Sequence, residues 1–288
     1  MEVKNITVLG LGTIGYQIAM LAAQNGHKVT VRDINDEVLE YGKKNITRSF
    51  KMFSVDKGKM TQEEADKIYN SITFTTSMEN AAKDADLVIE SVPEEMELKK
   101  QIFKELDKIC RTDTILATNS SALSILEISS LINRKDKCAG FHFANPVALI
   151  RSIEIIRSFM TSDETIDTLK NLAIKWNYEF RLVNDLPGQS GRLLCVLINE
   201  AIKMIGEGFT TPEGIDEVSR MLGHRFPIME VADINLEIPY KGLLYLQQEY
   251  GDGYRPHPLL KKMVLAGKLG KKTGEGFYKY DENGKKIS

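Results

Sequence analysis

The sequence has few cysteines, no long apolar run and almost no net charge. Its three cysteines, Cys110, Cys138 and Cys195, lie far apart and form no C-x-x-C pair. This spacing argues against a disulfide framework and against a cysteine-based zinc site. Uninterrupted apolar runs such as residues 193–198 are far shorter than the ~20 residues that a membrane-spanning helix requires. Because the N-terminus also lacks the pattern of a secretory signal, we expect a cytoplasmic protein without a membrane anchor.

The charge balance and the length exclude further classes of protein. Lysine and arginine together number 38, aspartate and glutamate 40, and the formal net charge is −2. Such a balance gives no overall positive field that would attract nucleic acid or an anionic membrane surface. The 288 residues correspond to about two domains, and 42% of them are hydrophobic, which is typical of an ordinary globular protein.

Strand and helix patterns divide the chain near residue 185. Before that point, short apolar and β-branched runs alternate with helical periods, which predicts βαβ units and a mostly parallel sheet. The runs lie at residues 4–9, 28–32, 87–91, 114–118, 138–143, 152–156 and 179–183. Beyond residue 185 the periods are helical. We therefore predict an α/β fold: a Rossmann-type doubly wound sheet domain at residues 1–185, with a helical arm at about 36–70, and an all-α C-terminal domain at residues 186–288.

A glycine-rich turn follows the first predicted strand. Residues 10–15 read G-x-G-x-x-G between a strand and a helix, which is where a dinucleotide-binding loop is required. The first glycine allows a tight turn, the second lets the backbone approach a pyrophosphate, and the third lets helix and strand pack closely. The predicted cofactor-binding residues of this loop are Gly10, Leu11, Gly12, Thr13, Ile14 and Gly15.

Asp33 ends the second predicted strand, downstream of this loop. An acid at that place can accept hydrogen bonds from the adenosine ribose and repels a 2′-phosphate, so we predict NAD rather than NADP as the cofactor. The adjacent Arg32 keeps NADP open as an alternative. A glycine-rich turn beside a surface aspartate is the other interpretation, and the strand and helix around the motif disfavour it.

Further polar segments follow other predicted strands at the same edge of the sheet. They are residues 90–95, 118–121 and 140–147, together with Glu154. Glu154 lies inside an apolar strand, where an acid requires a partner, and His142 is the natural one. A histidine paired with a carboxylate has a fixed tautomer and raised basicity, which suits a general base. With Ser121 holding a substrate oxygen and a bound nicotinamide, these groups would form an alcohol dehydrogenase without a metal ion; alone, His142 could equally be a core histidine.

Several motifs in the same order resemble the L-3-hydroxyacyl-CoA dehydrogenase family, including its 3-hydroxybutyryl-CoA dehydrogenases. The resemblance extends over essentially the whole chain. Besides the glycine motif with Asp33, it rests on residues 119–121, 141–147, 199–202, 223–224 and 270–278. It implies oxidation of a short-chain L-3-hydroxyacyl-CoA with NAD, as in fatty acid β-oxidation. It also implies a helical second domain that closes the cleft and forms a homodimer.

The resemblance also assigns roles to residues. It implies that His142 is the base, that Glu154 pairs with it and that Ser121 contacts both substrate and cofactor. Positions around the NAD are matched by Glu94, Lys99, Asn145 and Lys272. In the helical arm, the contacts with the CoA nucleotide are matched by Ser49 and Lys57. The alternative for this basic arm is an ordinary solvated face.

Two segments depart from the family pattern. Gly191 stands where the family has an asparagine that contacts the substrate, and residues 225–229 replace a turn that contains proline and glycine. The first change is either a tolerated one, with Gln189 or Ser190 supplying a polar contact, or the sign of a different substrate. Two other functions therefore stay open: a dehydrogenase of a free 3-hydroxy acid, such as a sugar acid or carnitine, and a non-catalytic protein that binds NAD or CoA.

Overall fold

The chain divides into two units, Met1–Leu186 and Pro187–Ser288, each with an apolar core of its own. The structure, a computed structural model, describes residues 1–121, 123–185, 189–224 and 226–287, and at 189 and 190 the backbone alone. Within these residues, no helix is both long enough and apolar enough to cross a membrane.

An eight-stranded sheet forms the centre of the first unit. Its strands are β1 (Asn5–Leu9), β2 (Lys28–Arg32), β3 (Ile72–Thr75), β4 (Leu87–Glu90), β5 (Ile115–Thr118), β6 (Cys138–Phe143), β7 (Ser152–Arg157) and β8 (Glu179–Asn184). Their order across the sheet is β3-β2-β1-β4-β5-β6-β7-β8. Strands β1 to β6 are parallel, whereas β7 is antiparallel to β6 and parallel to β8. The first six strands have the order of a doubly wound Rossmann sheet, which confirms the predicted fold class.

Strands β4 and β5 are buried along their whole length, as is typical of a parallel sheet that helices cover on both faces. The helices of the first unit are α1 (Gly15–Gln24), α2 (Asp36–Phe50), α3 (Gln62–Asn70), α4 (Met78–Ala82), α5 (Met96–Ile109), α6 (Ile125–Ile128) and α7 (Asp163–Lys175). Helix α1 ends before Gly26, whose φ of +80° is the left-handed conformation that commonly stops a helix at a glycine.

The sequence patterns missed β3, the edge strand beside β2. It has four residues, Ile-Thr-Phe-Thr, of which Ile72 alone is buried. An alternation of buried and exposed residues this short is not distinguishable from a loop by sequence. The pairing of β3 with β2 is therefore known from the structure alone. Within the arm predicted at about 36–70, helix α2 ends at Phe50, and a π-helical segment, Lys51–Val55, follows it.

The helical arm, residues 36–70, is attached to the glycine-rich loop. Its last helix, α3, begins with a capping box, in which Thr61 and Glu64 each accept a hydrogen bond from the other's backbone N–H. Near its base, Gly42 packs on Leu11 so closely that a Cβ at this glycine would lie 1.9 Å from the leucine Cδ2. The base of the arm is therefore held against the loop that is expected to bind the cofactor.

His27 forms a buried contact at the edge of the sheet opposite to the glycine-rich loop. Its Nε2 accepts a hydrogen bond of 2.9 Å from the Trp176 indole, and the two rings pack edge to face. Burial, with Lys175 nearby, lowers the pKa of His27 below its ordinary value. The neutral imidazole is thus the form that the folded chain prefers.

We expect the free energy of unfolding to fall as the pH drops from about 7.5 to 5, partly because of His27. The unfolded chain takes up a proton here at a higher pH than the folded chain does. The contribution of His27 is therefore complete above the unfolded pKa and is lost as the pH falls below it. Urea unfolding at both pH values should show a smaller fall for His27→Gln. His224→Gln, at an exposed histidine, is the control and should follow the wild type.

The second unit is helical in its described part, apart from isolated bridges near its C-terminus. Its α-helices are α8 (Gln189–Gly206), α9 (Pro212–Met221), α10 (Ile228–Ala232), α11 (Glu237–Tyr250) and α12 (Pro258–Leu265). Thr211 caps α9 and Pro212 is its first residue, a position that favours proline. A buried carboxylate, Asp233, accepts bonds from the backbone N–H groups of Phe277 and Tyr278 and fastens the C-terminal segment to α10.

Candidate active site

The glycine-rich loop joins β1 to α1 and has a different requirement at each glycine. Gly10 has φ of +91°, and a Cβ there would lie 2.6 Å from the Ser91 carbonyl oxygen. A Cβ at Gly15 would lie 1.8 Å from the carbonyl oxygen of Gly10. A Cβ at Gly12, in contrast, would meet no described atom within 4 Å. Two of the glycines therefore serve the packing of the loop, and Gly12 leaves its backbone open to a ligand.

The loop fits the pyrophosphate of a dinucleotide. Among the described residues, no side chain caps the first turn of α1 and none within that turn is acidic. The N–H groups and the positive end of the helix dipole at this turn favour an anion. Asp33, just after β2, accepts a 2.6 Å bond from the N–H of Leu11 and a 2.7 Å bond from that of Ile34. These bonds fix the carboxylate beside the loop, where an adenosine ribose can reach it.

Buried charges lie at the ends of β4 and β5. Glu90, the last residue of β4, is fully buried, and its Oε1 lies 2.7 Å from the Lys99 Nζ. The same ammonium lies 3.4 Å from the Glu94 Oε2. Burial alone would lower the pKa of Lys99, but the carboxylates of Glu90 and Glu94 raise it, so the ammonium stays charged. Of these residues, Glu94 is the partly exposed one.

The segment that carries Ser121 is held by carboxylates at two places. Glu94 Oε1 accepts hydrogen bonds from the Ser120 hydroxyl, at 2.5 Å, and from the Ser121 N–H, at 3.0 Å. Asp185, just after β8, accepts bonds of 2.7 and 2.6 Å from the N–H groups of Ile125 and Leu126 at the start of α6. Burial raises the pKa of Asp185 despite these bonds. Both carboxylates position the serine segment, and the sequence patterns had used Asp185 only to mark a boundary.

His142 and Glu154 form a pair across β6 and β7. They are direct partners in the antiparallel register, and His142 Nδ1 lies 3.0 Å from Glu154 Oε2. Their side chains are 15% and 12% exposed. Because the carboxylate faces Nδ1, it favours the tautomer with a proton there and leaves Nε2 as a proton acceptor. The antiparallel turn of β7 is what brings the predicted partners together.

Asn145 follows β6 and is connected to α1. The Gln17 amide lies 3.1 Å from the Asn145 Oδ1 and accepts a bond of 2.9 Å from the N–H of Val147. Sequence reasoning missed Gln17. Its polarity gave no signal, because polar residues are common in the first turn of a helix. Asn119 has a similar role, since its Oδ1 accepts the N–H of Phe143 and so joins the ends of β5 and β6.

Three predicted site residues lie away from this group or in the second unit. Ser49 is buried within α2, whereas Lys57 is exposed just beyond the π-helical segment. Lys272 belongs to the second unit, where it lies 3.0 Å from Glu237. Gly191 lies in the first turn of α8. The side chains of Gln189 and Ser190, and the backbone of residue 225, lie outside the described residues.

The first unit thus combines a dinucleotide loop with a histidine–carboxylate pair and a hydroxyl at the carboxyl ends of parallel strands. This edge of a doubly wound sheet is where its ligands bind. The histidine can take a proton from an alcohol, and a dinucleotide held by the loop can take the hydride. The arrangement supports the oxidation of an alcohol or the reduction of a ketone.

Known proteins resemble both units. Residues 5–185 match the family described as "3-hydroxyacyl-CoA dehydrogenase, NAD binding domain", and residues 190–280 match "3-hydroxyacyl-CoA dehydrogenase, C-terminal domain". A "Probable 3-hydroxybutyryl-CoA dehydrogenase" of Bacillus subtilis is 42% identical over 98% of this chain and 99% of its own length.

Solved structures are similar over nearly the whole length as well. The (S)-3-hydroxybutyryl-CoA dehydrogenase PaaH1 from Ralstonia eutropha is 34% identical, with a TM-score of 0.85 and coverage of 98% of this chain and 100% of that one. A diketoreductase that acts on dicarbonyl compounds is 30% identical, with a TM-score of 0.79 over 97% of this chain and 100% of its own.

Proposed function

We propose, from the premise that this chain belongs to the 3-hydroxyacyl-CoA dehydrogenase family, that His142 and Glu154 are its acid–base pair. The chain is an NAD-dependent oxidoreductase of 3-hydroxyacyl-CoA. The finer proposal is a short-chain L-3-hydroxyacyl-CoA, oxidised to the 3-oxoacyl-CoA or formed by the reverse reduction. The observation that carries the proposal is the 3.0 Å contact of His142 Nδ1 with Glu154 at the edge of a dinucleotide-binding sheet.

Each residue has one task in the proposed reaction. The loop at residues 10–15 would hold NAD, which would supply the acceptor for the hydride from C3 of the substrate. His142 takes the proton of the C3 hydroxyl at Nε2 and returns it in the reverse direction. Glu154 keeps the tautomer and stabilises the imidazolium that forms. Ser121, on the segment that Glu94 holds, directs the reacting oxygen toward the histidine.

Residues around the cofactor follow from the same geometry. The backbone of residues 10–15 would hold the pyrophosphate, and Asp33 the adenosine ribose. Asn145 and Glu94 lie at the strand ends beyond the loop, and Lys99 acts through Glu94 because it is buried. Lys272 stays a prediction from the family resemblance. So do Ser49 and Lys57 as contacts of the CoA nucleotide, for which the exposed ammonium of Lys57 is the better placed of the two.

A substrate panel tests this proposal. We expect NADH formation with short 3-hydroxyacyl-CoAs, NADH consumption with acetoacetyl-CoA, and weaker turnover of longer acyl-CoAs. The runner-up is a dehydrogenase of free 3-hydroxy acids, which Gly191 and the similarity to a diketoreductase favour. It would be supported if free acids turned over better than their CoA esters. Turnover of neither class would leave the third candidate, a protein that binds NAD or CoA without catalysis.

We also propose that the chain forms a homodimer through its second unit. This unit exposes large apolar side chains, a feature of protein interfaces. They include Leu193, Leu197, Phe209, Met221, Leu222 and Leu265. Sedimentation should give twice the chain mass of 32.4 kDa. The cytoplasmic location stays a prediction from the sequence.

Met221→Lys should shift the protein toward the monomer. Met221 is 85% exposed on the second unit, and a lysine there would lose its water if the dimer interface covered it. Phe159→Lys is the matched control, since Phe159 is 89% exposed on the first unit. An unchanged mass for Met221→Lys, or a monomeric wild type, would contradict the proposed interface.

A further inference from the structure

Glu90 is a fully buried carboxylate whose two oxygens contact groups of the protein itself. Its Oε1 accepts the N–H of Val92 and lies near the Lys99 ammonium, both at 2.7 Å. Its Oε2 accepts the hydroxyl of Thr118 at 2.6 Å. A buried pair of this kind gives little net stability compared with apolar side chains of the same volume, so packing alone does not explain it.

The charges around Lys99 leave an excess of one sign. Glu90 and Glu94 are two carboxylates on one ammonium, so the three side chains together carry a net charge of −1. The contact with Glu90 is the shorter, at 2.7 Å against 3.4 Å for Glu94. Glu90 is thus the nearer partner of the Lys99 ammonium and weakens the field of that charge at Glu94.

This charged group lies along the path of the cofactor. In the sheet, β4 and β5 stand between β1, which leads into the glycine-rich loop, and β6, which carries His142. The cofactor would run from Asp33, after β2, past Gly12 and on toward His142, because hydride transfer requires its nicotinamide near the base. The nicotinamide half therefore passes over the ends of β4 and β5, close to Glu94. This step rests on the proposed function.

Oxidised and reduced nicotinamide differ in charge at this half of the cofactor. The ring of NAD⁺ carries a positive charge and the ring of NADH is neutral. A net negative charge in a region screened from water favours the cation. We propose that Glu90 is a positioning residue that sets the preference of the site between NAD⁺ and NADH through the net charge that it shares with Lys99 and Glu94, without touching the cofactor.

Binding of the two nucleotides tests the proposal without turnover. NADH affinity is measured by its fluorescence, and NAD⁺ affinity by displacement of NADH. Glu90→Gln keeps the shape and removes the charge, so the affinity for NAD⁺ relative to NADH should fall severalfold, because the attraction of one negative charge for the cationic ring is lost. Glu90→Asp keeps the charge with a shorter reach and should keep the wild-type ratio.

A double variant covers the case in which Glu90→Gln does not fold. Glu90→Gln with Lys99→Met removes both buried charges, restores the net charge of −1 and should return the ratio toward the wild-type value. Lys99→Met alone makes the net charge of the group more negative, −2 instead of −1. It should increase the affinity for NAD⁺ relative to NADH. If the ratio is the same in all variants, or if Glu90→Asp and Glu90→Gln shift it alike, the proposal is wrong. The binding ratios are measured without turnover. A failure of the substrate assay would therefore count against the proposed role of His142 and not against this proposal.

Discussion

His142→Gln should lower kcat for a 3-hydroxyacyl-CoA by about 10²- to 10⁴-fold, the usual range for the loss of a general base. The substitution removes the imidazole that takes and returns the proton in the proposed reaction. Glutamine has a similar volume, so the strand pair β6–β7 should keep its register. Steady-state kinetics in both directions would measure the loss.

NAD binding should be unchanged in this variant. The loop that would hold the pyrophosphate and the carboxylate of Asp33 lie on β1 and β2, across the sheet from β6. Calorimetric titration with NAD⁺ therefore separates a catalytic role from a structural one. Glu154→Gln should lose less activity, because the histidine remains and only its tautomer and charge support are weakened. Turnover of His142→Gln at the wild-type rate would exclude this residue as the base.

Gly12→Val should abolish most NAD binding and leave the unliganded protein as stable as the wild type. No described atom lies within 4 Å of the position of the new Cβ, so the substitution fills space that the ligand requires and the protein does not. We expect the affinity to fall by tenfold or more, which is about 1.4 kcal/mol or above.

Gly15→Ala gives the opposite combination and serves as the matched comparison. Its Cβ would lie 1.8 Å from the Gly10 carbonyl oxygen, so the loop must move. The free energy of unfolding should then fall by about 1–3 kcal/mol, together with NAD affinity. Thermal unfolding with and without NAD⁺ distinguishes the two variants. If Gly12→Val is destabilised as much as Gly15→Ala, Gly12 serves packing and not the ligand.

The fold class could be predicted from the sequence because the pattern that indicates it recurs many times along the chain. Each βαβ unit shows the same change from a strand period to a helical period, and the glycine motif marks which end of the sheet binds ligand. The exceptions are short. The four residues of β3 carry too little periodicity, and the π-helical turn after Phe50 has no pattern of its own.

The site was predictable where a residue type is unusual in its surroundings. Glu154 is an acid within an apolar strand, so its partner could be inferred before the pairing with His142 was seen. Gln17 and Asp185 carry no such signal, because polar residues at a helix start or after a strand are common. Their roles depend on hydrogen bonds to segments more than 50 positions away, which sequence spacing does not reveal.

The contact of Gly42 with Leu11 divides the helical arm into two parts with different freedom to change during evolution. The inner surface of α2 touches the loop that is expected to bind the cofactor, so a larger residue at Gly42 would displace the Leu11 side chain of that loop. The outer surface, with Lys44 and Arg48, is exposed. Under the proposed function, substitutions there can change the contacts of the arm with an anionic substrate, while the dinucleotide loop keeps its shape. Substrate range can therefore diverge among descendants of this enzyme without loss of its cofactor.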